Sequence, residues 1–239
     1  MTTVAAEQTK APMSPLRFFH ESQKSVEKFR IQLSNRVSAL TRGVDSAASP
    51  VPAEYEELTT LAAQMEGVLD RAIANQLGDY VVWDAWLKHV RGVGSGLAGQ
   101  MLALLLPPRA DKGPSSWYKA AGLVPEYREE DGQMHLPKAR KGEGKLLHHR
   151  WLRRCLWNLA TSFVRQGGYY RKVYEQKKLG LQAKHAGDTA WPPYRIDDVA
   201  RWSMIKLFLA HLWEAWCDAA GIHNRQAWIV QYGGAQHHY

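Results

Sequence analysis

Apolar side chains recur every seven residues near the start of this chain. Phe19, Val26, Leu33 and Leu40 form one series, and Leu16 and Val37 fall on the neighbouring seam. Gln23 and Arg30 interrupt it. The pattern predicts a helix of about seven turns with a coiled-coil-like stripe. Ser14-Pro15 supplies the start, a capping serine followed by proline in the first turn, and the helix ends near Gly43. GVDSAASPVPA (Gly43–Ala53) reads as a linker. A second helix follows, with Tyr55, Ala62 and Leu69 on one seam and Leu58, Met65 and Ala72 on the other. Two such helices pair most simply as an antiparallel hairpin. Ordinary amphipathic core helices and a dimerising coiled coil both satisfy the same spacing, and the periodicity leaves that choice open. Residues 1–13, small and polar, have the composition of a disordered tail.

Beyond residue 80 the period stays helical. Trp83, Trp86, Leu87 and Val90 are spaced three, four and seven apart, and Leu97, Met101, Leu104 and Leu105 continue that spacing after a glycine-rich break. The break, HVRGVGSGLAGQML, contains a G-x-G-x-x-G match at Gly94, Gly96 and Gly99. A dinucleotide fingerprint needs a buried strand before the glycines, and Asp84, Lys88 and His89 interrupt any such run. The glycines therefore join helix to helix, the arrangement of a helix-hairpin-helix. Gly92 and Gly94 would allow a tight turn with main-chain N–H groups uncovered, and the next helix would add the positive end of its dipole. Phosphate can sit there regardless of base sequence. A purely connecting turn is the alternative. Pro107-Pro108 ends this helix, and a short one is expected around SSWYKAAGL. EYREEDGQMHLPKARKGEGK reads as an extended loop or ragged hairpin turning at Asp131-Gly132. LLHHRWLRRCLWNLATSFVR is a helix, with Leu147, Trp151, Cys155 and Leu159 on its apolar face. YYRKVYEQKKLG is a basic, aromatic helix, and HAGDTAWPPYR a loop. The most apolar helix, RIDDVARWSMIKLFLAHLWEAWCDAAG, is the expected centre of a core. The fold class is mainly α: a helical hairpin over 14–80, then a helix-hairpin-helix-containing domain over 81–239.

Charge sharpens the picture. Of 31 Lys+Arg and 23 Asp+Glu, residues 1–87 hold 8 and 11, a net of −3, and residues 88–239 hold 23 and 12, a net of +11. That asymmetry points to a polyanion partner for the second part. Residues 138–154 concentrate it: Lys138, Arg140, Lys141, Lys145, Arg150, Arg153 and Arg154 against Glu143 alone. A basic helical surface beside a basic loop is a backbone-tracking pattern, with a solvated charged face as the bland alternative.

The stretch from about Trp86 onward resembles the C-terminal transposase domain of the bridge-RNA-guided insertion-sequence recombinases. The residues that carry the resemblance are VRGVGSGLAGQMLALL, then AAGLVP (Ala120–Pro125), the basic stretch, WLRRCLWNLA, the tyrosine-containing YYRKVYEQKK and ARWSMIKLFLAHLW. IKLFLAHLW and WIVQYGGAQHH are similar still more closely to stand-alone bacterial relatives of that domain. The resemblance implies a nucleic-acid-binding architecture. It does not carry catalysis. Full recombinases have an N-terminal RuvC-like domain with four metal-binding acids, and residues 1–80 are too short and too helical to hold one. The family's catalytic serine follows its G-L-V-P motif, where this chain reads Glu126-Tyr127-Arg128-Glu129-Glu130-Asp131-Gly132. Ser115 and Ser116 precede the motif.

Other chemistry is weaker. Glu126, Glu129, Glu130 and Asp131 could hold a divalent metal, but consecutive loop carboxylates are usually solvated. His135, His148, His149, His211, His237 and His238 lack paired Cys/His spacing for zinc. Cys155 and Cys217 lie in apolar helical segments and form no disulfide framework. The N-terminus lacks the apolar core of a signal peptide, and the longest apolar runs are far too short for a bilayer. The expectation is therefore a cytoplasmic, non-catalytic module with no cofactor and no metal. It binds DNA and/or structured RNA through Arg91, Gly92, Gly94, Gly96, Lys138, Arg140, Lys141, Lys145, Arg150, Arg153 and Arg154, and its N-terminal helices admit a homodimer. The alternatives are a reduced recombinase or metal-dependent nuclease, and a coiled-coil protein-interaction module.

Overall fold

Ser14 opens the first helix as its spacing suggested: the side-chain oxygen accepts the Arg17 N–H at 3.2 Å, and Pro15 takes the first helical position. The computed structural model describes residues 14–42, 51, 54–128, 133–137 and 149–223. Among them are eight α-helices and one short antiparallel hairpin, so the protein is mainly α. They form two compact units, Met1–Ile73 and Ala74–Tyr239.

The first unit holds α1 (Pro15–Thr41) and most of α2 (Glu54–Gln76). Glu54, Glu56 and Glu57 occupy the first turn of α2, where their charge complements the helix dipole. Arg30 donates through Nε to both carboxylate oxygens of Glu66, at 2.9 and 3.1 Å, and Gln23 donates to Asp70. Ascending numbers in α1 thus meet descending numbers in α2, and the helices run antiparallel. Leu16, Leu33, Ala62 and Ile73 are buried.

The division between units falls after Ile73, not at residue 80. Leu77 and Val82 are fully buried, and Tyr80 stands edge-on to Trp216 at 6.0 Å, so this segment packs with the second unit. That unit continues with α3 (Val81–Ala85), a 3₁₀ turn at Leu87–His89, α4 (Ser95–Leu104) and α5 (Ser115–Ala120). β1 (Glu126–Arg128) pairs antiparallel with β2 (Gln133–His135), Glu126 opposite His135. The turn expected at Asp131-Gly132 lies outside the described residues. α6 (Arg150–Gln166), α7 (Tyr169–Lys184) and α8 (Pro193–Ala219) complete it.

α8 is the axis. From Leu207 to Cys217 every residue is buried, His211 and Glu214 among mostly apolar neighbours, because α3, α5, α6 and α7 all pack against this helix. Aromatic rings fill the space between helices. Phe163 of α6 stacks on Tyr170 of α7 at 4.6 Å and meets Phe208 of α8 at 5.2 Å, and Trp117 of α5 stands against Trp213 of α8 at 4.7 Å. Cys155 and Cys217 are buried free thiols.

Two expectations need correction. The helix read across Trp83–Val90 breaks at Trp86, whose backbone turns to φ −149°, ψ −52°. There its buried ring stacks on Phe208 at 5.8 Å, a placement that local spacing does not encode. The helix read from Leu146 is described only from Arg150, with His149 as its cap: Nδ1 accepts the Leu152 N–H at 3.3 Å. Trp151, assigned above to the apolar face, is exposed. Among the described residues no helix is long and apolar enough to cross a membrane.

Candidate nucleic-acid interface

The glycine turn is built against α6. The Val93 N–H closes onto the Val90 carbonyl at 3.0 Å, and Gly92 between them has φ +96°. A Cβ on Gly92 would lie 2.9 Å from Cδ1 of Phe163, and the Gly92 carbonyl accepts the Ser162 hydroxyl at 2.7 Å. Backbone conformation and close approach therefore both demand glycine at this position.

Gly94 differs from the expectation. Its φ of −95° and ψ of 165° suit any residue, and nothing lies within 4 Å of an added Cβ there or at Gly96. Gly94 is the N-cap of α4, and no side chain caps that helix. The N–H groups of Ser95, Gly96 and Leu97 have no acceptor within the helix. Gly94 and Ser95 are exposed, so the glycines at 94 and 96 leave the positive end of α4 uncovered.

Arg91 is exposed beside it, and its stem runs along Gly168: a Cβ there would sit 3.4 Å from Arg91 Cδ. Gly168 (φ +93°) is the N-cap of α7, which also lacks a side-chain cap. Two glycine-capped helix starts, α4 and α7, thus flank one arginine. The sequence reading missed the second of these. Gly167-Gly168 between two basic helices was the available signal.

The basic face of α6 is divided. Arg150 and Arg154 are exposed, with the Arg154 guanidinium 5.8 Å from the Trp151 ring. Arg153 is not available in the same way. Its guanidinium donates to the carbonyls of Pro137 at 2.6 Å and Gly122 at 3.2 Å and lies 5.4 Å from the Trp202 ring, and burial pulls its pKa below the ordinary range. It fastens the AAGLVP segment and the end of the β-hairpin to α6. Lys138, Arg140, Lys141 and Lys145 lie outside the described residues, as do Glu129, Glu130 and Asp131.

A second set of cations is also committed internally. Asp197 of α8 accepts from Tyr174 and from Lys178 of α7, the latter at 2.8 Å, and from Arg201 at 2.6 Å. Burial alone would raise the Asp197 carboxyl, but these hydrogen bonds outweigh it and hold the group far below the usual carboxylate range. A depressed carboxylate adds stability that is complete above its unfolded pKa of about 4 and is lost as pH falls toward the folded value. Asp197→Asn is expected to cost about 2 kcal/mol at neutral pH, since it leaves two cations facing an amide. Thermal unfolding should shift down by roughly 6 °C. The difference from the parent should shrink below about pH 4. An equal deficit at pH 3 and pH 7 would contradict this account.

No protein-family model matches this chain, and a comparison with curated proteins finds no match.

Proposed function

We propose that the second unit binds nucleic acid, DNA or structured RNA, through its phosphate backbone and without cutting it. The observation that carries this is the convergence of two uncapped, glycine-started helices on exposed Arg91, next to the turn at Gly92. Uncapped N-terminal N–H groups, two helix dipoles and a guanidinium make a chemistry suited to one phosphate after another, indifferent to base identity. Exposed Arg150 and Arg154 of α6 extend the cationic character, and the resemblance to the recombinase C-terminal domain points the same way. Lys138, Arg140, Lys141 and Lys145 would add charge from the adjoining basic stretch.

Gly94→Val tests the turn. A residue at this cap lies over the first-turn N–H groups of α4, so a branched side chain would obstruct a phosphate there. Because the backbone angles are ordinary and the space around Gly94 is open, the fold should tolerate it at a cost of about 1 kcal/mol. Fluorescence anisotropy with duplex DNA and with hairpin RNA should show about a tenfold loss, similar across unrelated sequences. A folded Gly94→Val protein that binds like its parent would remove the turn from the interface. Absence of binding by the parent at low salt would end the nucleic-acid reading. Strand cleavage in Mg²⁺ would replace binding alone by a nuclease activity.

A further inference from the structure

The first unit keeps one apolar stripe out of its own hairpin. Leu58, Leu61, Met65 and Val68 of α2 are 41, 48, 55 and 56% exposed. Their steps of three and four residues are those of a coiled-coil seam, and at 100° per residue they span about 80° of the helix. The buried residues of the same helix, Ala62 and Ile73, lie on the adjoining face, about 90° round. α1 carries a matching stripe. Phe18, Phe29 and Leu40 are exposed and eleven residues apart, a step that drifts by only about 20° on a helix. In both helices the stripe is reached by rotating in the same sense from the buried face. In an antiparallel pair that sense places both stripes on one side of the hairpin. The result is a face two helices wide, continuously apolar along α2 and apolar along α1 at Phe18, Phe29 and Leu40, with Ser25, Gln32 and Arg36 exposed between them.

We propose that this face is the dimer interface of two copies of the chain, packed as a four-helix bundle about a two-fold axis. The stripes are self-complementary. Turning α2 antiparallel onto a second α2 about Ala63 sets Leu58 against Val68 and Leu61 against Met65 of the other copy. The same register brings Glu57 beside Arg71 of the other copy twice, with the two Gln64 side chains facing at the centre. Glu57, Gln64 and Arg71 are all exposed and flank the seam where antiparallel coiled coils place their charge pairs. α1 turned about Phe29 sets Phe18 against Leu40. The two centres lie at nearly one level: the Arg30–Glu66 ion pair is next to Phe29 and within one turn of Ala63, so a single axis passes close to both. An isologous interface requires one shared axis. Association through this face is independent of what the second unit binds.

Nuclease-treated full-length protein in high salt should show twice the chain mass by light scattering at about 50 μM. Leu61→Glu/Met65→Glu should weaken dimerisation at least about tenfold and leave helicity unchanged, since both side chains are exposed in the single chain. Glu57→Arg should weaken it several-fold, and Glu57→Arg/Arg71→Glu should restore it. Gln64→Cys should cross-link to itself on mild oxidation. A monomer at this concentration would overturn the proposal, as would a dimer indifferent to the double glutamate variant. Failure of the charge swap to restore association would overturn it too.

Discussion

Raising salt from about 50 mM to about 200 mM is expected to weaken duplex-DNA binding by three to four powers of ten, roughly. The size of that loss is set by the cations that remain for phosphate. Arg91, Arg150 and Arg154 are exposed, and the sequence adds Lys138, Arg140, Lys141 and Lys145. Seven neutralised phosphates give a log–log slope of about −6 on B-DNA. Arg153, Lys178 and Arg201 are left out of the count because each is already hydrogen-bonded to internal oxygen acceptors. The variants should therefore separate. Arg150→Ala and Arg154→Ala should each flatten the slope by about 1 without altering thermal unfolding. Arg153→Ala should lower the unfolding temperature, because it releases the carbonyls of Gly122 and Pro137, and should leave the slope of the folded protein unchanged. A parent slope near zero would sink the electrostatic interface. A slope that responds to Arg153 but not to Arg150 or Arg154 would move the interface to the other side of α6.

Gly92→Val is expected to destabilise the second unit by about 3–4 kcal/mol, the largest stability loss foreseen for a single surface turn. Two costs add. A β-branched residue at φ +96° is strained, at about 1–3 kcal/mol. Its Cβ would also stand 2.9 Å from the Phe163 ring. That ring cannot swing aside, being fully buried between Tyr170 and Phe208 at centroid distances of 4.6 and 5.2 Å. Forcing it costs about 1–3 kcal/mol more. Moving the turn instead would break the 2.7 Å bond from Ser162 to the Gly92 carbonyl. Unfolding followed by circular dichroism should shift down by roughly 10 °C. Gly92→Ala should lose nearly as much, since the positive φ and the first atom of the clash remain. Gly94→Val should lose far less. Equal losses at 92 and 94 would show that neither φ nor the contact with Phe163 governs the turn.

Much of this architecture is written in local spacing. The cap at Ser14 and the apolar run that became α8 could all be read from neighbours within a few residues. A helix needs only its own periodicity and end signals, and these are properties of a short window. That no strand precedes the glycine break was legible for the same reason: a 3₁₀ turn at Leu87–His89 leads into it and α4 follows. The break at Trp86 was not, because its cause is Phe208, more than a hundred positions away. Nor did spacing distinguish Gly92, where a side chain would strike Phe163, from Gly94, where one would meet open space. The two seams of α2 looked alike in sequence. In the fold Ala62 is buried while Leu58 and Met65 stay exposed. The charges show the limit most plainly. Arg150, Arg153 and Arg154 are one cluster along the chain, and composition assigned all three to phosphate. Whether a guanidinium is available depends on which carbonyls and rings other segments bring to it, and for Arg153 those are Gly122, Pro137 and Trp202. The sequence by itself determined a mainly helical chain with a basic second part, since periodicity and charge are additive over residues. Which glycines are indispensable, which cations are spent and which apolar face stays open were decided by tertiary structure, because each depends on an atom supplied from elsewhere in the chain.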